Sequence, residues 1–234
     1  MADYTKNRPY TTVILAMSAD GKIADRQRSQ ARFTSSADQT HLEQQIADSD
    51  GVLFGAGTLR AYGTTLKVSD PNLLQQRYQQ NLPSQPVQIV VSRTANIDPQ
   101  LRFFRQPVPR WLLTTANGAK HWEGCPEFTK ILVCEIPGSL EIDWIDALQQ
   151  LSNLGLSRLA VLGGGQLVAS LVAVDLIDEF WLTVCPLILG GATAPTPVEG
   201  EGFLTALAPR LELLSVQTVE QEVFLHYRRQ RLED

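Results

Sequence analysis

Residues 158–174 read Arg-Leu-Ala-Val-Leu-Gly-Gly-Gly-Gln-Leu-Val-Ala-Ser-Leu-Val-Ala-Val, and this stretch decides the class of fold. The apolar run at 158–162 predicts a buried strand, and residues 166–174 predict a helix directly after it. Three glycines, Gly163, Gly164 and Gly165, separate the two elements. A strand that leads at once into a helix is the unit from which α/β sheets are built.

The same alternation of apolar runs and helical segments extends along most of the chain. One helix is predicted to begin at Ser36, which forms a capping box with Gln39. Two further helices are predicted over 71–80 and over 143–154. The last two segments alternate apolar and polar residues, which predicts a closing antiparallel pair. The further predicted strands lie at 11–16, 51–55, 87–91, 111–115, 131–134 and 179–189 (the last broken or ended near Pro186), and the closing pair lies at 211–218 and 222–229.

The length and the net charge of the chain limit the classes of protein to which it can belong. The chain has 234 residues and a formal net charge of −5. An acidic surface repels phosphate backbones, so we predict no nucleic-acid partner. The first residues lack an apolar signal core, and no apolar run is long enough to span a bilayer. We therefore predict a cytoplasmic protein without a membrane partner, formed by one domain over 1–234 with a core at about 10–230.

The three cysteines, Cys125, Cys134 and Cys185, include no C-x-x-C pair. The predicted cytoplasmic location indicates reduced, partly buried thiols, and the spacings of the cysteines indicate no zinc site.

The triple glycine is the strongest local indication of a ligand. Glycines let a backbone approach a ligand closely, and the N-terminus of the following helix offers N–H groups and a positive dipole to a diphosphate. The alternative, a tight turn without a ligand, stays open at this point, because the stretch lacks the G-x-G-x-x-G pattern.

Two other strand ends carry residues that suit a cofactor. Gly57 and Thr58 follow the strand at 51–55 in a second glycine-rich turn, and Ser92 and Arg93 follow the strand at 87–91. Ligands lie at the carboxyl ends of strands in such sheets, and an arginine favours the 2′-phosphate of a phosphorylated dinucleotide. Solvated turns would explain both segments equally well.

The loop after the first strand places a carboxylate and an amine close together, in Met-Ser-Ala-Asp-Gly-Lys at 17–22. Asp20 would be a proton donor only if its surroundings raised its pKa; water is the other source of the proton. Few other side chains suit acid, base or nucleophilic chemistry. Their scarcity favours hydride transfer, in which a cofactor brings the reactive atom.

Taken in order, these segments resemble the pyrimidine reductase family of riboflavin biosynthesis. The matching pieces are residues 17–22, 55–58 and 163–165, Leu-Ile-Asp-Glu at 176–179, Pro-Leu-Ile-Leu-Gly-Gly at 186–191, and the tail Ala-Pro-Thr-Pro-Val-Glu-Gly-Glu-Gly-Phe at 194–203. The resemblance implies a dihydrofolate-reductase-like fold: a mixed, mostly parallel sheet flanked by helices, with C-terminal antiparallel strands. It also implies a homodimer that uses NADPH to reduce a ribosylaminopyrimidine 5′-phosphate to its ribitylamino form.

Carried over by position, the resemblance implies a set of site residues. Asp20 would be catalytic, and the substrate would meet Ser18, Lys22, Leu66 and Leu162. NADPH would be bound by Gly57, Thr58, Ser92, Arg93, Gly163, Gly164, Gly165, Gln166 and Leu167.

Two departures from the family pattern leave other functions open. Members commonly have Glu where this chain has Leu162, and Ala-Asp-Asp-Pro where it reads Ala-Tyr-Gly-Thr at 61–64. The alternatives are a paralogous NADPH reductase of another pterin-like or carbonyl substrate, and a non-catalytic nucleotide-binding protein of the same fold.

Overall fold

The computed structural model describes residues 7–231, which form two compact units. The first comprises residues 7–10 and 43–160, and the second comprises residues 11–42 and 161–231. The single domain expected from the sequence stays a prediction. Helix α1 (Ser36–Ala47) begins in the second unit and ends in the first.

The strands of the first unit are β2 (Gly51–Gly55), β3 (Val87–Val91), β4 (Arg110–Thr114), β5 (Lys130–Val133) and β6 (Arg158–Val161). In the sheet they follow the order β5-β4-β3-β2-β6. The pairs β2–β3, β3–β4 and β4–β5 are parallel, as expected when helical segments connect successive strands. The helices of this unit are α2 (Ala56–Tyr62), α3 (Pro71–Gln79), α4 (Ala116–Ala119) and α5 (Trp144–Asn153), with short 3₁₀ helices at Arg102–Arg105 and Lys120–Trp122.

The strands of the second unit are β1 (Tyr10–Ser18), β7 (Glu179–Cys185), β8 (Arg210–Val219) and β9 (Glu222–Gln230), in the order β1-β7-β9-β8. Strand β1 runs parallel to β7, whereas β9 is antiparallel to both β7 and β8. Helix α6 (Gly165–Ala173) follows the triple glycine and buries Leu167, Val168 and Leu171. The mostly parallel α/β fold with a C-terminal antiparallel pair is confirmed.

Helix and strand ends follow local chemistry at several predicted positions. The Asp143 side chain accepts the N–H groups of Ile145 and Asp146 and caps α5, and Gly155 beyond its end has a φ of +89°. Strand β7 ends directly before Pro186, which cannot donate to a ladder.

The predicted capping box at Ser36 is wrong. Ser35 is the capping residue of α1, because its Oγ accepts the N–H groups of Ala37 and Asp38 at 3.1 and 3.2 Å. Two consecutive serines made the positions indistinguishable by residue type.

The prediction of a second glycine-rich turn, at Gly57 and Thr58, is also wrong. Ala56, Gly57 and Thr58 are the first residues of α2, a helix that the sequence analysis did not predict. Two glycines within three positions lower the intrinsic helix propensity there, while Ala56 and Leu59 stabilise the helix by packing into the core.

The three cysteines are free; Cys134 and Cys185 are buried, and Cys125 is exposed. Burial raises the pKa of both buried thiols to about 12. Within residues 7–231, no helix has the length and hydropathy needed to cross a membrane. The same residues contain no cluster of three or more side chains that could hold a metal ion.

Candidate active-site elements

The turn after β1 is organised by the carboxylate of Asp20. Its Oδ1 accepts the Ser18 hydroxyl at 2.6 Å and the backbone N–H of Leu189 at 3.1 Å, and its Oδ2 accepts the N–H of Gly190 at 2.7 Å. These bonds, led by that from Ser18, lower the pKa of Asp20 to about 2. Hydrogen bonds to the charged form favour ionisation, so Asp20 is a carboxylate throughout the neutral range.

This geometry bears on two expectations for the turn. The pKa of Asp20 is lowered, not raised, so Asp20 does not meet the condition set for a proton donor. Ser18 is fully buried, and its Oγ both donates to Asp20 and accepts the N–H of Lys22 at 2.9 Å. Ser18 therefore shapes the turn, and its contact with a substrate stays a prediction.

Lys22 is the cation of the same turn. Its backbone carbonyl accepts the N–H of Ser18 at 2.8 Å, which closes the turn around Gly21, whose φ is +78°. Its side chain is half-buried, and its ammonium has no hydrogen bond or ion pair with any other residue of 7–231. The ammonium is thus free to pair with an anionic ligand.

The triple glycine forms a sharp bend between β6 and α6. Gly163 has a φ of +95°, which disfavours any side chain, and an ideal Cβ there would lie 3.1 Å from Leu15 Cδ2. Gly164 is the N-cap of α6, and this end of the helix has no side-chain cap within residues 7–231. The first N–H groups and the positive end of the helix dipole are therefore available to an anion.

The residues of the bend and next to it differ in how accessible their side chains are to a ligand. Gln166 is exposed and Leu162 is half-buried, so both side chains are within reach of a ligand. The side chain of Leu167 is buried in the core, which leaves only its backbone for a cofactor. Gly165 is buried, and a Cβ there would collide with the carbonyl oxygen of Thr196.

A second segment that borders the bend was missed by the sequence analysis. The N–H of Glu199 donates to the carbonyl of Gly165 at 3.1 Å, and its Oε1 accepts Arg28 Nη2 at 2.9 Å. In the sequence, Glu199 stands out only as part of the tail at 194–203 that resembles the family. No sequence pattern indicates a contact between residues separated by 171 positions.

In the first unit, Gly57 and Thr58 lie in the first turn of α2. Gly57 is exposed, and an ideal Cβ on it would meet no atom within 4 Å. Thr58 is half-buried, and its hydroxyl makes no hydrogen bond within the described part of the chain. The backbone of Gly57 and the hydroxyl of Thr58 are therefore both accessible to a ligand.

Ser92 and Arg93 follow β3, which pairs with β2 so that Val91 lies opposite Gly55. Ser92 Oγ accepts the N–H of Ala95 at 3.0 Å, which fixes the turn. The Arg93 guanidinium pairs with the Glu141 carboxylate, and both side chains are 59% exposed. Glu141 is another residue that the sequence analysis did not identify.

Leu66, the remaining predicted substrate contact, lies in the loop after α2 and is 38% exposed. The neighbouring backbone is fixed by Gln106, whose side chain accepts the hydroxyl of Thr64 and the N–H of Thr65. Leu66 thus presents an apolar side chain from a well-anchored loop.

Comparison with solved structures first defines the fold. Dihydrofolate reductase from Enterococcus faecalis matches over 95% of this chain and 97% of its own, with a TM-score of 0.53 and 11% identity. A pyrimidine reductase-like protein from Corynebacterium diphtheriae matches over 96% and 93%, with a TM-score of 0.79 and 19% identity. RibD from Acinetobacter baumannii matches over 97% of this chain and 59% of its own, with a TM-score of 0.78 and 21% identity. The fold is that of dihydrofolate reductase.

The sequence comparison is more specific. The profile of the RibD C-terminal domain matches residues 9–225, so the chain belongs to this family. The 2,5-diamino-6-ribosylamino-4(3H)-pyrimidinone 5′-phosphate reductase of Archaeoglobus fulgidus is 31% identical over 84% of this chain and 89% of its own. The reductase of the same name from Methanothermobacter thermautotrophicus is 28% identical over 94% and 98%.

Proposed function

We propose that this chain uses NADPH to reduce 2,5-diamino-6-ribosylamino-4(3H)-pyrimidinone 5′-phosphate, or a close ribosylaminopyrimidine 5′-phosphate, to the ribitylamino compound of riboflavin biosynthesis. The observation that carries the proposal is the uncapped N-terminus of α6 behind the triple-glycine bend, in a chain of this family. The similarity to two reductases of that name over most of their length supports the substrate class.

The residues of the bend fit the diphosphate of a dinucleotide. Glycine at 163, 164 and 165 removes side chains from the backbone, and α6 offers N–H groups that no side chain caps. Gln166 and the backbone of Leu167 extend this surface along the first turn. When bound, NADPH supplies the hydride that the sugar carbon accepts.

The predicted cofactor contacts of the first unit are Gly57, Thr58, Ser92 and Arg93, and we propose that they bind NADPH. The exposed guanidinium of Arg93 suits the 2′-phosphate, and the free hydroxyl of Thr58 suits a phosphate or ribose oxygen.

For the substrate, Lys22 is the residue with the clearest role. Its ammonium, which has no partner among residues 7–231, would bind the 5′-phosphate. Leu66 and Leu162 stay the predicted apolar contacts of the substrate. Asp20 is ionised and holds the loop through Leu189 and Gly190. The proton that completes the reduction would therefore come from water.

The test is turnover. Purified protein given NADPH and the ribosylaminopyrimidine phosphate should lose nicotinamide absorbance and form the ribitylamino product, identified by mass spectrometry. Absence of product at high enzyme concentration would refute the proposal.

One observation favours a second reductase function. Leu162 is a half-buried, apolar residue at a position where the resemblance leads us to expect Glu. A leucine at this position would suit a less polar pterin-like or carbonyl substrate. Leu162→Glu should then create activity on the pyrimidine phosphate that the unmodified protein lacks. NADPH binding in calorimetry without turnover on any of these substrates would instead indicate a nucleotide-binding protein.

We also propose that the chain forms a homodimer through one face of the β7-β9-β8 sheet. Paired residues of adjacent strands point to the same side, and their register aligns the rows Phe180–Tyr227–Leu213 and Leu182–Leu225–Val216. Leu213 and Val216 are 50% and 52% exposed. A second copy packed on this apolar face would remove it from water. The cytoplasmic location stays a prediction.

A further inference from the structure

Glu199 lies directly against the triple-glycine bend. Besides its backbone hydrogen bond to the Gly165 carbonyl, its Cγ lies 2.8 Å from the position that a Cβ on Gly165 would take. The next residue, Gly200, has a φ of +80°, and a Cβ on it would lie 3.1 Å from Ala169 Cβ on α6. The segment around Glu199 is therefore packed closely along the start of α6.

The carboxylate of Glu199 reaches in the other direction, to the loop that follows β1. It accepts Arg28 Nη2 at 2.9 Å, and the Glu199 side chain is only 15% exposed while that of Arg28 is 59% exposed. Partial burial of the carboxylate reduces the screening that weakens a fully exposed pair.

Further hydrogen bonds join the loop after β1 to the chain between β7 and Glu199, among them that from the N–H of Ala19 to the carbonyl of Leu187 at 2.9 Å. The N–H of Ile23 donates to the carbonyl of Pro195 at 2.9 Å, and the Asp20 carboxylate accepts the N–H groups of Leu189 and Gly190. The part of this loop from Ala19 to Arg28 is thus attached at several positions. Of the partners named here, Glu199 contributes a side chain that contacts the bend, and the carbonyl of Thr196, next to Pro195, also lies against Gly165.

We propose that Glu199 is a positioning residue for the reductase reaction: it holds the loop of Asp20 and Lys22 in register with the bend that binds the cofactor diphosphate. This inference rests on the proposed function. Glu199 acts through Arg28 and Gly165 and does not itself contact the reacting atoms.

The charges of the pair lead to a specific expectation. A carboxylate beside a helix N-terminus opposes the binding of a diphosphate, and Arg28 neutralises it. Arg28→Ala leaves Glu199 unpaired, so the Kd for NADPH should rise about threefold, the size expected for a partly exposed pair. Adding Glu199→Gln removes the repulsion and should restore the Kd, an effect that loss of structure alone would not produce.

The single variant Glu199→Gln separates positioning from binding. It keeps the backbone bond to Gly165 and the side-chain volume, so the Kd for NADPH should stay within about twofold of the unmodified protein. A misplaced loop should lower kcat by about tenfold, with a much smaller change in KM. Glu201→Gln, an exposed position in the same loop, is the matched control and should change neither.

Limited proteolysis tests the attachment without any substrate. Trypsin cleavage after the exposed Arg26 should be several times faster in Glu199→Gln than in the unmodified protein and Glu201→Gln. Equal cleavage rates, unchanged kcat in Glu199→Gln, or equal increases of Kd in Arg28→Ala and the double variant would each overturn the proposal. If the unmodified protein lacks turnover but the cleavage and Kd results hold, the proposed reaction fails while the positioning of the loop by Glu199 stands.

Discussion

The hydroxyl of Ser18 donates a hydrogen bond of 2.6 Å to the carboxylate of Asp20. The same oxygen accepts the N–H of Lys22, so one buried hydroxyl connects both charged residues of the turn after β1. This bond is the largest cause of the lowered pKa of Asp20, about 2 against 3.8.

We expect Ser18→Ala to raise the pKa of Asp20 toward 3.8, while the bonds from Leu189 and Gly190 keep it below that value. Because the folded-state pKa is depressed, the carboxylate stabilises the fold above the unfolded-state pKa of about 4. That contribution is lost as the pH falls toward 2, so the variant should lose less stability on acidification. The loss of the acceptor for Lys22 N–H should cost ~1–2 kcal/mol at neutral pH.

Carbon NMR of the Asp20 carboxyl group measures its pKa, and urea unfolding across the acid range measures the stability. Ser84→Ala, in an exposed loop, is the control. An unchanged pKa of Asp20 in Ser18→Ala would contradict the assignment.

The pair of Arg93 and Glu141 leads to a prediction about cofactor preference. A 2′-phosphate must compete with the Glu141 carboxylate for the Arg93 guanidinium. Glu141→Gln should therefore lower the Kd for NADPH by about threefold, as expected for an exposed ion pair, and leave that for NADH unchanged.

Calorimetry with the two cofactors provides the measurement, and Glu123→Gln at another exposed position serves as the control. Arg93→Ala should weaken NADPH binding more than NADH binding. Equal losses for both cofactors would show that Arg93 does not contact the 2′-phosphate.

Gly165 and Gly57 should respond to alanine in opposite ways. A methyl group at Gly165 collides with the Thr196 carbonyl and the Glu199 side chain, and such overpacking costs about 1–3 kcal/mol. At Gly57 a methyl group meets nothing within 4 Å, and replacing a helical glycine should stabilise the fold by ~0.5–1 kcal/mol.

Urea unfolding should show both changes, and calorimetry should show weaker NADPH binding in each variant, because both glycines are assigned to the cofactor. Unchanged NADPH affinity in a more stable Gly57→Ala would remove Gly57 from the cofactor site.

The proposed dimer should depend on one face of β8 only. Val216→Lys places a charge in the apolar row with Leu182 and Leu225, and should yield a monomer of 25.9 kDa in sedimentation. Gln217→Lys, exposed on the opposite face of the same strand, should leave the dimer intact. Loss of the dimer in both variants, or in neither, would argue against this interface.

Local chemistry made much of the fold predictable. Most strand and helix ends depend on residues within a few positions, so the sequence determined where these elements begin and end. Examples are the runs of apolar residues, the capping Asp143, the glycine at 155 and the proline at 186. The triple-glycine bend was predictable for the same reason, since three adjacent glycines permit few other uses.

The sequence by itself thus determined the α/β class, most element bounds and the bend before α6. Only the tertiary structure decided that Gly57 begins a helix, that Asp20 is a fixed carboxylate, and that Arg28 meets Glu199 and Arg93 meets Glu141. Those partners are 171 and 48 positions apart. Pairing over such distances depends on how the chain folds back on itself, which residue periodicity and local propensity do not encode.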